Sequence, residues 1–402
     1  MKNGCRRILF ISNGHGEDLI ASRLIEHLVA AEPSWAIMAL PIVGMGAVYR
    51  SKGIPLLMDG KDLPSGGFIR NGPRNLAMDL RAGLLSLTWR QIRALRRAGS
   101  EIDLAVCVGD CYLLLLAGPS LRRPIVFLPT AKSDYIRPHL PVEIWLMRRF
   151  CTKIFPRDAF TAASLRAKGL PAEFMGNVMM DALDYVAPDL KSTGDAWTIG
   201  ILPGSRRDAY LNMQDIARVA LALHEMAVGR PITYLVALAS GLSFAVLAEY
   251  LAPLGWTVRL PEPEEAERGI VGELRHDGGD SVRLTIVQGR FADVLAASDL
   301  VIGLAGTANE QAAGLGKPVV AFAGRGSQFT AEFLRAQKKL LGEAVFAVER
   351  EPGVVAREIL AILTDAPRRE AMAAAGRARM GPPGGAGRIA AEIRRLVLSA
   401  PE

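Results

Sequence analysis

Thr198-Ile199-Gly200-Ile201-Leu202-Pro203-Gly204-Ser205-Arg206-Arg207 is an apolar run that stops at a proline-glycine turn and gives way to a hydroxyl and two guanidinium groups. The β-rich residues Thr198 to Leu202 predict a buried strand, and apolar spacing from about Asn212 to Ala227 predicts the helix after it. Strand, glycine turn and helix together form the repeating unit of a parallel sheet covered by helices. The preceding stretch, Val186 to Asp195, is polar, with Pro188, Lys191, Ser192, Thr193 and Gly194. A sheet-forming pattern that starts afresh after a polar linker marks a second α/β unit.

Beyond this point the alternation continues with strands at Ile232 to Ala237, Thr257 to Leu260, Leu284 to Gln288, Leu300 to Gly303 and Pro318 to Phe322. Helices are expected from Ser243, over Phe291 to Ala297 and from Ala308, while the charged, glycine-rich stretch Glu262 to Arg283 reads as a surface excursion or hairpin. Upstream, strands are expected at Arg7 to Ile11, Ala36 to Pro41, Ile54 to Leu57, Leu104 to Val108, Ile125 to Leu128 and Lys153 to Phe155. Leu19, Ile20, Leu24, Leu28 and Val29 recur at helical spacing, and Ala47 to Lys52 and Leu76 to Ala98 predict two more helices. The fold class is α/β, with two doubly wound Rossmann-like domains at 1–187 and 198–380, joined by a linker at 188–197. A Gly/Pro stretch, Gly381 to Gly387, precedes a last helix, Arg388 to Leu398, and this 381–402 segment is expected to pack back on the first domain.

Composition agrees with two cores. The chain has 402 residues, more than one core usually supports, and is 50% apolar and 22% charged, which excludes a disordered class. Aromatics at 6% argue against a base-stacking nucleic-acid platform. The net charge of +7 favours anionic partners such as nucleotide diphosphates or phospholipid headgroups. It is spread in small clusters, Arg93-Arg96-Arg97 and Arg148-Arg149, rather than one basic run. Cys5, Cys107, Cys111 and Cys151 lack metal-ligand spacing, so no metal site is expected. The apolar run Ile8 to Ile11 is too short for a signal segment, and Pro231 to Ala248, though uncharged, reads as strand, turn and helix. The expected location is cytoplasmic.

In open parallel sheets, ligands bind beyond the carboxyl ends of the strands. Four places there carry chemistry. Gly204, Ser205 and Arg206 combine a tight turn, a hydroxyl and a planar fork for oxyanions, although such an arginine also serves as a salt-bridge partner. Val301 to Gln311 places Gly306, Thr307 and Ala308 at a helix start, where free N–H groups face an anion, with Glu310 and Gln311 one turn inside to accept from ribose hydroxyls. The alternative is that these glycines serve only tight packing. Asn13-Gly14-His15-Gly16-Glu17-Asp18 gathers His15, Glu17 and Asp18 at the first strand-helix junction, without the third glycine of a dinucleotide fingerprint; a lone His is usually structural, and Asp18 also suits a helix start favoured by the dipole. Asp110 ends the strand Leu104 to Val108, as either a catalytic base or a cap for the next helix. Gln328 joins the nucleotide-side candidates.

At these loops the sequence resembles the lipid-A-disaccharide synthase family, and more closely its lipid-A-disaccharide synthase-related branch. The resemblance rests on Leu202 to Arg206, on Ala297-Ser298-Asp299 through Gly306-Thr307-Ala308 to Gly316-Lys317-Pro318, and on Phe174-Met175-Gly176-Asn177 through Asp181. It implies a GT-B architecture, two Rossmann-like domains facing a central cleft. It also implies inverting transfer from a UDP-sugar donor, without metal or other cofactor, to a lipid-linked acceptor. Arg206, Gly306 and Thr307 match the family directly, and Asp18 and Asp110 are carried over with them. Departures fall mainly on the acceptor side. The family's Gly-Glu-Ala-Ser-Gly-Asp loop is here Asn13 to Asp18, and its Pro-Ser-Val-Trp-Ala-Trp stretch is here Pro129 to Asp134. Counting back from Pro318, its ribose-binding glutamate falls on Gln311. The loop around His15 is also similar to the glycine-rich His loop of peptidoglycan N-acetylglucosaminyltransferases.

The expected mechanism is direct displacement at the anomeric carbon, with Asp110 as base, His15 as the second choice, and Arg206 with the helix start at Thr307 balancing the departing diphosphate. Domain closure is expected to exclude water. A UDP-N-acetylglucosamine 2-epimerase is the rival reading, although that family's Gly-Thr-Arg-Pro-Glu opening is absent. A nucleotide-sugar-binding protein without catalysis is a third. Tyr135 to Phe150 combines Trp145 with Arg148 and Arg149, which suits either a helix at an anionic membrane surface or a core-facing helix with a basic outer face.

Overall fold

The computed structural model describes residues 6–61, 78, 80–81, 83–191, 194–227, 229–276 and 282–399. The chain divides into two compact units, Met1–Ala182 with Pro383–Glu402, and Leu183–Pro382.

The first unit is built on strands β1 (Arg7–Ser12), β2 (Ala36–Pro41), β3 (Leu104–Val108), β4 (Ile125–Leu128) and β5 (Cys151–Ile154), all parallel in the order β2-β1-β3-β4-β5. Successive strand side chains point to opposite faces. Ile8 and Phe10 of β1 therefore enter one core while Leu9 and Ile11 enter the other. Both faces are covered, which is why these strands read as unbroken apolar runs. Helix α1 (His15–Ala31) packs on the Ile8/Phe10 face, followed after β2 by the short α2 (Ala47–Ser51). The opposite face takes α3 (Leu84–Ala98), α4 (Tyr112–Leu121) and α5 (Pro141–Phe150). Helix α6 (Ala159–Ala167) follows β5, with Asp158 accepting the Thr161 N–H at its start.

Some expectations shift. On α1 the buried stripe is Ile20, Leu24, Ile25 and Leu28, whereas Val29 is 46% exposed. Ile54 to Leu57 gives only one bridge, Leu56 to Ala39, because the chain leaves the sheet edge at once. Part of the expected helix from Leu76 lies outside the described residues, as does Cys5. Helix α5 buries one face and exposes the other. Ile144, Leu146 and Met147 are buried, while Trp145 is 56% exposed beside Leu140 and Val142. Its arginines are engaged locally, Arg148 donating to the Lys168 carbonyl and Arg149 lying over the Phe150 ring.

The second unit has strands β6 (Trp197–Leu202), β7 (Ile232–Leu238), β8 (Trp256–Arg259), β9 (Ile270–His276), β10 (Val282–Gln288), β11 (Leu300–Gly303), β12 (Val319–Ala321) and β13 (Val345–Ala347). Their order is β13-β12-β11-β6-β7-β10-β9-β8. The sheet is parallel except at its end, where β9 pairs antiparallel with both β10 and β8. Of the two readings for Glu262 to Arg283, surface excursion or hairpin, the second holds: after a short helix, β9 pairs antiparallel with the next strand, β10. Helices α7 (Asp208–Met226), α8 (Phe244–Leu251), α9 (Pro263–Glu267), α10 (Phe291–Ala297) and α11 (Thr307–Gly314) connect the strands, and α12 (Ala331–Leu341), α13 (Pro352–Thr364) and α14 (Ala366–Met380) complete the unit. The uncharged stretch 231–248 is β7 and the start of α8. Among the described residues no helix is long and apolar enough to cross a membrane.

Helix α15 (Gly385–Ser399) returns to the first unit and inserts Ile389, Ile393 and Val397 between residues of the α1 core. The Asp181 carboxylate accepts the backbone N–H groups of Gly384 and Ala386, the latter at 2.6 Å, and Arg388 donates to the Met175 carbonyl at 2.7 Å.

Candidate functional site

Strand order reverses beside β1 in the first sheet and beside β6 in the second, which sets the switch points at β1/β3 and β6/β11. All four loops read from the sequence leave these strands.

In the first unit, β1 ends on Ser12. Its Oγ donates to Asp18 Oδ1 at 2.6 Å and lies 2.6 Å from Tyr49 Oη. A hydroxyl has one hydrogen, so Tyr49 donates to Ser12 and Ser12 to Asp18. Asp18 is fully buried in the first turn of α1, and its Oδ2 has no hydrogen-bond partner. Burial pushes its carboxyl up to about 6, against the opposing pull of the Ser12 bond and of His15. Burial also raises Glu17, with Asp18 and Asp110 adding to the shift, while a backbone N–H and Arg157 oppose it. His15 itself is exposed at the start of α1.

An acid raised in the folded state favours folding while protonated, so stability declines as pH climbs from the unfolded value to the folded one. Asp18→Asn keeps the acceptor for Ser12 and removes the charge. The variant is expected to match wild type near pH 4 and to be more stable by about 1–3 kcal/mol at pH 8. Equal melting curves at pH 8 would show that the buried carboxyl carries no such cost.

Asp110 lies one residue beyond Gly109, which has φ 147°. A Cβ at Gly109 would sit 1.7 Å from Asn13 Oδ1, so glycine is required for the two loops to touch. Asp110 is half-buried and its Oδ1 accepts the Tyr112 N–H at 2.9 Å. That bond starts α4 and orients the carboxyl group at the end of β3.

In the second unit, Ser205 and Arg206 are exposed just past Gly204, whose φ is 114°. The polar face of α7 holds the surrounding loops in place. Asn212 Nδ2 donates to the Pro203 carbonyl at 2.9 Å while its Oδ1 accepts the Arg325 N–H at 3.2 Å. Asp208 accepts the N–H of Gln328 at 3.4 Å, and a Cβ on Gly326 would lie 1.9 Å from Asp208 Oδ2. Asp215 accepts from Arg325 Nε and Nη2 at 2.8 and 2.6 Å, with Arg218 at 3.2 Å. The Asp215 carboxylate beside Arg325 raises that guanidinium's pKa.

At the end of β11, Gly306 and Ala308 are half-buried and Thr307 is exposed at the start of α11. Glu310 and Gln311 are buried one turn further along, at 9% and 7% exposure. Asn309, fully buried, donates from Nδ2 to the Gly303 carbonyl at 2.9 Å and to Gln337 Oε1 at 2.8 Å. Gln337 donates in turn to the carbonyls of Ala305 and Gly306 at 3.2 and 3.0 Å. The sequence reading passed over Asp208, Asn212, Asn309 and Gln337. The one available signal was amide and acid side chains spaced three or four apart on α7.

No protein-family model matches the chain. Its structure resembles CalG4, the calicheamicin glycosyltransferase, with a TM-score of 0.59 and 15% identity over 100% of both chains. It also resembles the UDP-GlcNAc 2-epimerase of Neisseria meningitidis bound to UDP-GlcNAc, with a TM-score of 0.56 and 13% identity over 98% of this chain and 100% of that one. These likenesses define the class: an α/β protein of two parallel-sheet Rossmann-like halves, with the fold of GT-B glycosyltransferases and UDP-GlcNAc 2-epimerases. In sequence, 238 residues are 29% identical to the lipid-A-disaccharide synthase of Thiobacillus denitrificans, covering 55% of this chain and 56% of that protein. The match therefore spans about half the length of that curated relative.

Proposed function

We propose that this protein is a glycosyltransferase that moves a sugar from a UDP-sugar to a lipid-linked acceptor by metal-independent inverting displacement. The observation that carries the reading is the β6/β11 switch point, where exposed Arg206 and the start of α11 at Thr307 offer a guanidinium and helix N–H groups. Those groups suit a diphosphate, which gains negative charge as it leaves. The sequence likeness to a lipid-A-disaccharide synthase supports transfer, and a lipid acceptor suits the exposed Trp145 and Val142 on α5 and Leu140 just before it. Such an acceptor puts the working protein at the inner face of the cytoplasmic membrane.

In this reaction the acceptor hydroxyl gives its proton to the Asp110 carboxylate and its oxygen bonds to the anomeric carbon. The bond from that carbon to the diphosphate breaks, and UDP departs with the electron pair. Asp18, buried in the first turn of α1 and bonded to Ser12 at the end of β1, is the third acid-base candidate of this unit after Asp110 and His15.

The likeness to UDP-GlcNAc 2-epimerases favours a second reading, inversion at the sugar's C2 with no acceptor. A screen of UDP-sugars with a lipid extract, following UDP release and product mass, separates the two. Transfer releases UDP only when acceptor is present and adds a hexose mass to a lipid. Epimerisation leaves UDP attached and needs no lipid.

Both readings require UDP to bind the second unit. Arg206→Ala removes a charge-assisted contact and is expected to weaken UDP binding by roughly 1.5–3 kcal/mol. Unchanged affinity by calorimetry in the folded variant would remove Arg206 from the diphosphate site.

A further inference from the structure

We infer that Gln337 is a positioning residue that turns the glycine loop before α11 into a pair of directed donors for a diphosphate. The ligand class rests on the nucleotide reading above, whereas the geometry belongs to this chain. Gln337 sits on α12, is 3% exposed, and directs its side-chain NH2 to backbone: Nε2 donates to the carbonyls of Ala305 and Gly306. Its Oε1 accepts from Asn309 Nδ2, which also donates to the Gly303 carbonyl. Turning either amide over would set an oxygen against a carbonyl oxygen, so the network admits one arrangement.

The consequence follows from the planarity of the peptide. In a trans unit the C=O and the N–H on either side of the C–N bond point in opposite directions. Holding the Ala305 carbonyl toward α12 turns the Gly306 N–H away from it, and holding the Gly306 carbonyl does the same for Thr307. These are also amides that a helix start leaves without an intrahelical acceptor. Gly306 has φ −76° and ψ −87°, outside the helical region, and its carbonyl accepts both the Glu310 N–H at 3.3 Å, at the start of α11, and Gln337 Nε2, whereas the Ala305 carbonyl is held by Gln337. Phe333, one turn earlier on α12, backs the same residue: a Cβ on Gly306 would lie 3.3 Å from its ring. Helix α12 thus acts as a plate behind the turn, and Gln337 is the side chain on it that holds both carbonyls, and with them the direction of the N–H bonds opposite.

The test compares UDP with uridine, which lacks the diphosphate, by calorimetry on wild type and Gln337→Met. Methionine is close in size and has no amide. UDP affinity is expected to fall about tenfold or more, the worth of one charge-assisted contact, with uridine affinity unchanged. A folded Gln337→Met protein that binds UDP as wild type does overturns the assignment, while wild-type UDP binding keeps the nucleotide reading intact. Should the variant fail to fold, wild type labelled with ¹⁵N at glycine and threonine decides the question. The Gly306 and Thr307 amide signals are expected to move with UDP and not with uridine, and signals that stay in place on UDP binding refute the proposal. A wild-type chain that binds no UDP overturns the nucleotide reading, and the diphosphate assigned to this turn with it.

Discussion

Asp110→Asn is expected to lower sugar transfer by roughly 10²–10⁴-fold, the range for loss of a general base, with UDP affinity near wild type. The substitution suits this site because it separates the proton-accepting role proposed for Asp110 from its structural one. Its Oδ1 accepts the Tyr112 N–H at the start of α4, and the asparagine oxygen can continue to do so. What is lost is the capacity to take a proton. Asp110→Ala provides the complementary control, losing both the proton acceptor and the helix-start bond, and is expected to lower the melting temperature as well. Full transfer activity in Asp110→Asn moves the base to exposed His15 or elsewhere in the first unit.

Removing residues 383–402 is expected to unfold the first unit. The deletion takes away Ile389, Ile393 and Val397, at 1%, 0% and 3% exposure, from the core shared with Leu24 and Leu28 of α1. At about 1.5–3 kcal/mol for each buried side chain, the loss is roughly 5–9 kcal/mol. That is the size of a domain's whole net stability, roughly 5–15 kcal/mol. The Asp181 carboxylate also loses both of its backbone donors. Aggregation, or a soluble product that binds hydrophobic dye, is the expected result. Ile393→Asp, which leaves the chain at full length, is expected to act in the same direction. A truncated protein with wild-type melting would show that the first unit holds together without this helix.

The sheets were legible in the sequence because their strands are buried on both faces and carry unbroken apolar runs, as in Leu104 to Val108 and Trp197 to Leu202. Short elements were harder to read. β13 has three residues and an exposed end, and its pairing with β12 comes from contacts distant along the chain. The hairpin offered for the charged stretch Glu262 to Arg283 is there, but the bounds of β9 could not be read because residues such as Glu273 pair with Arg259 and Arg275 rather than packing on apolar neighbours. At the site, the residues that face outward were visible, since Gly204, Arg206 and Thr307 announce themselves by type. The residues that hold them were not. Gln337 lies 31 positions from Gly306 and bonds to backbone carbonyls, which every residue carries, so no sequence pattern marks the pairing.

The return of α15 to the first unit also has a consequence for biosynthesis. The first 182 residues leave the ribosome with every strand of their sheet but without the helix that closes the α1 side. At about 5–20 residues per second, the next 200 take roughly 10–40 s to synthesise, and that side of the sheet waits throughout. During that interval the apolar residues that α15 covers, Leu24 and Leu28 among them, lack that cover.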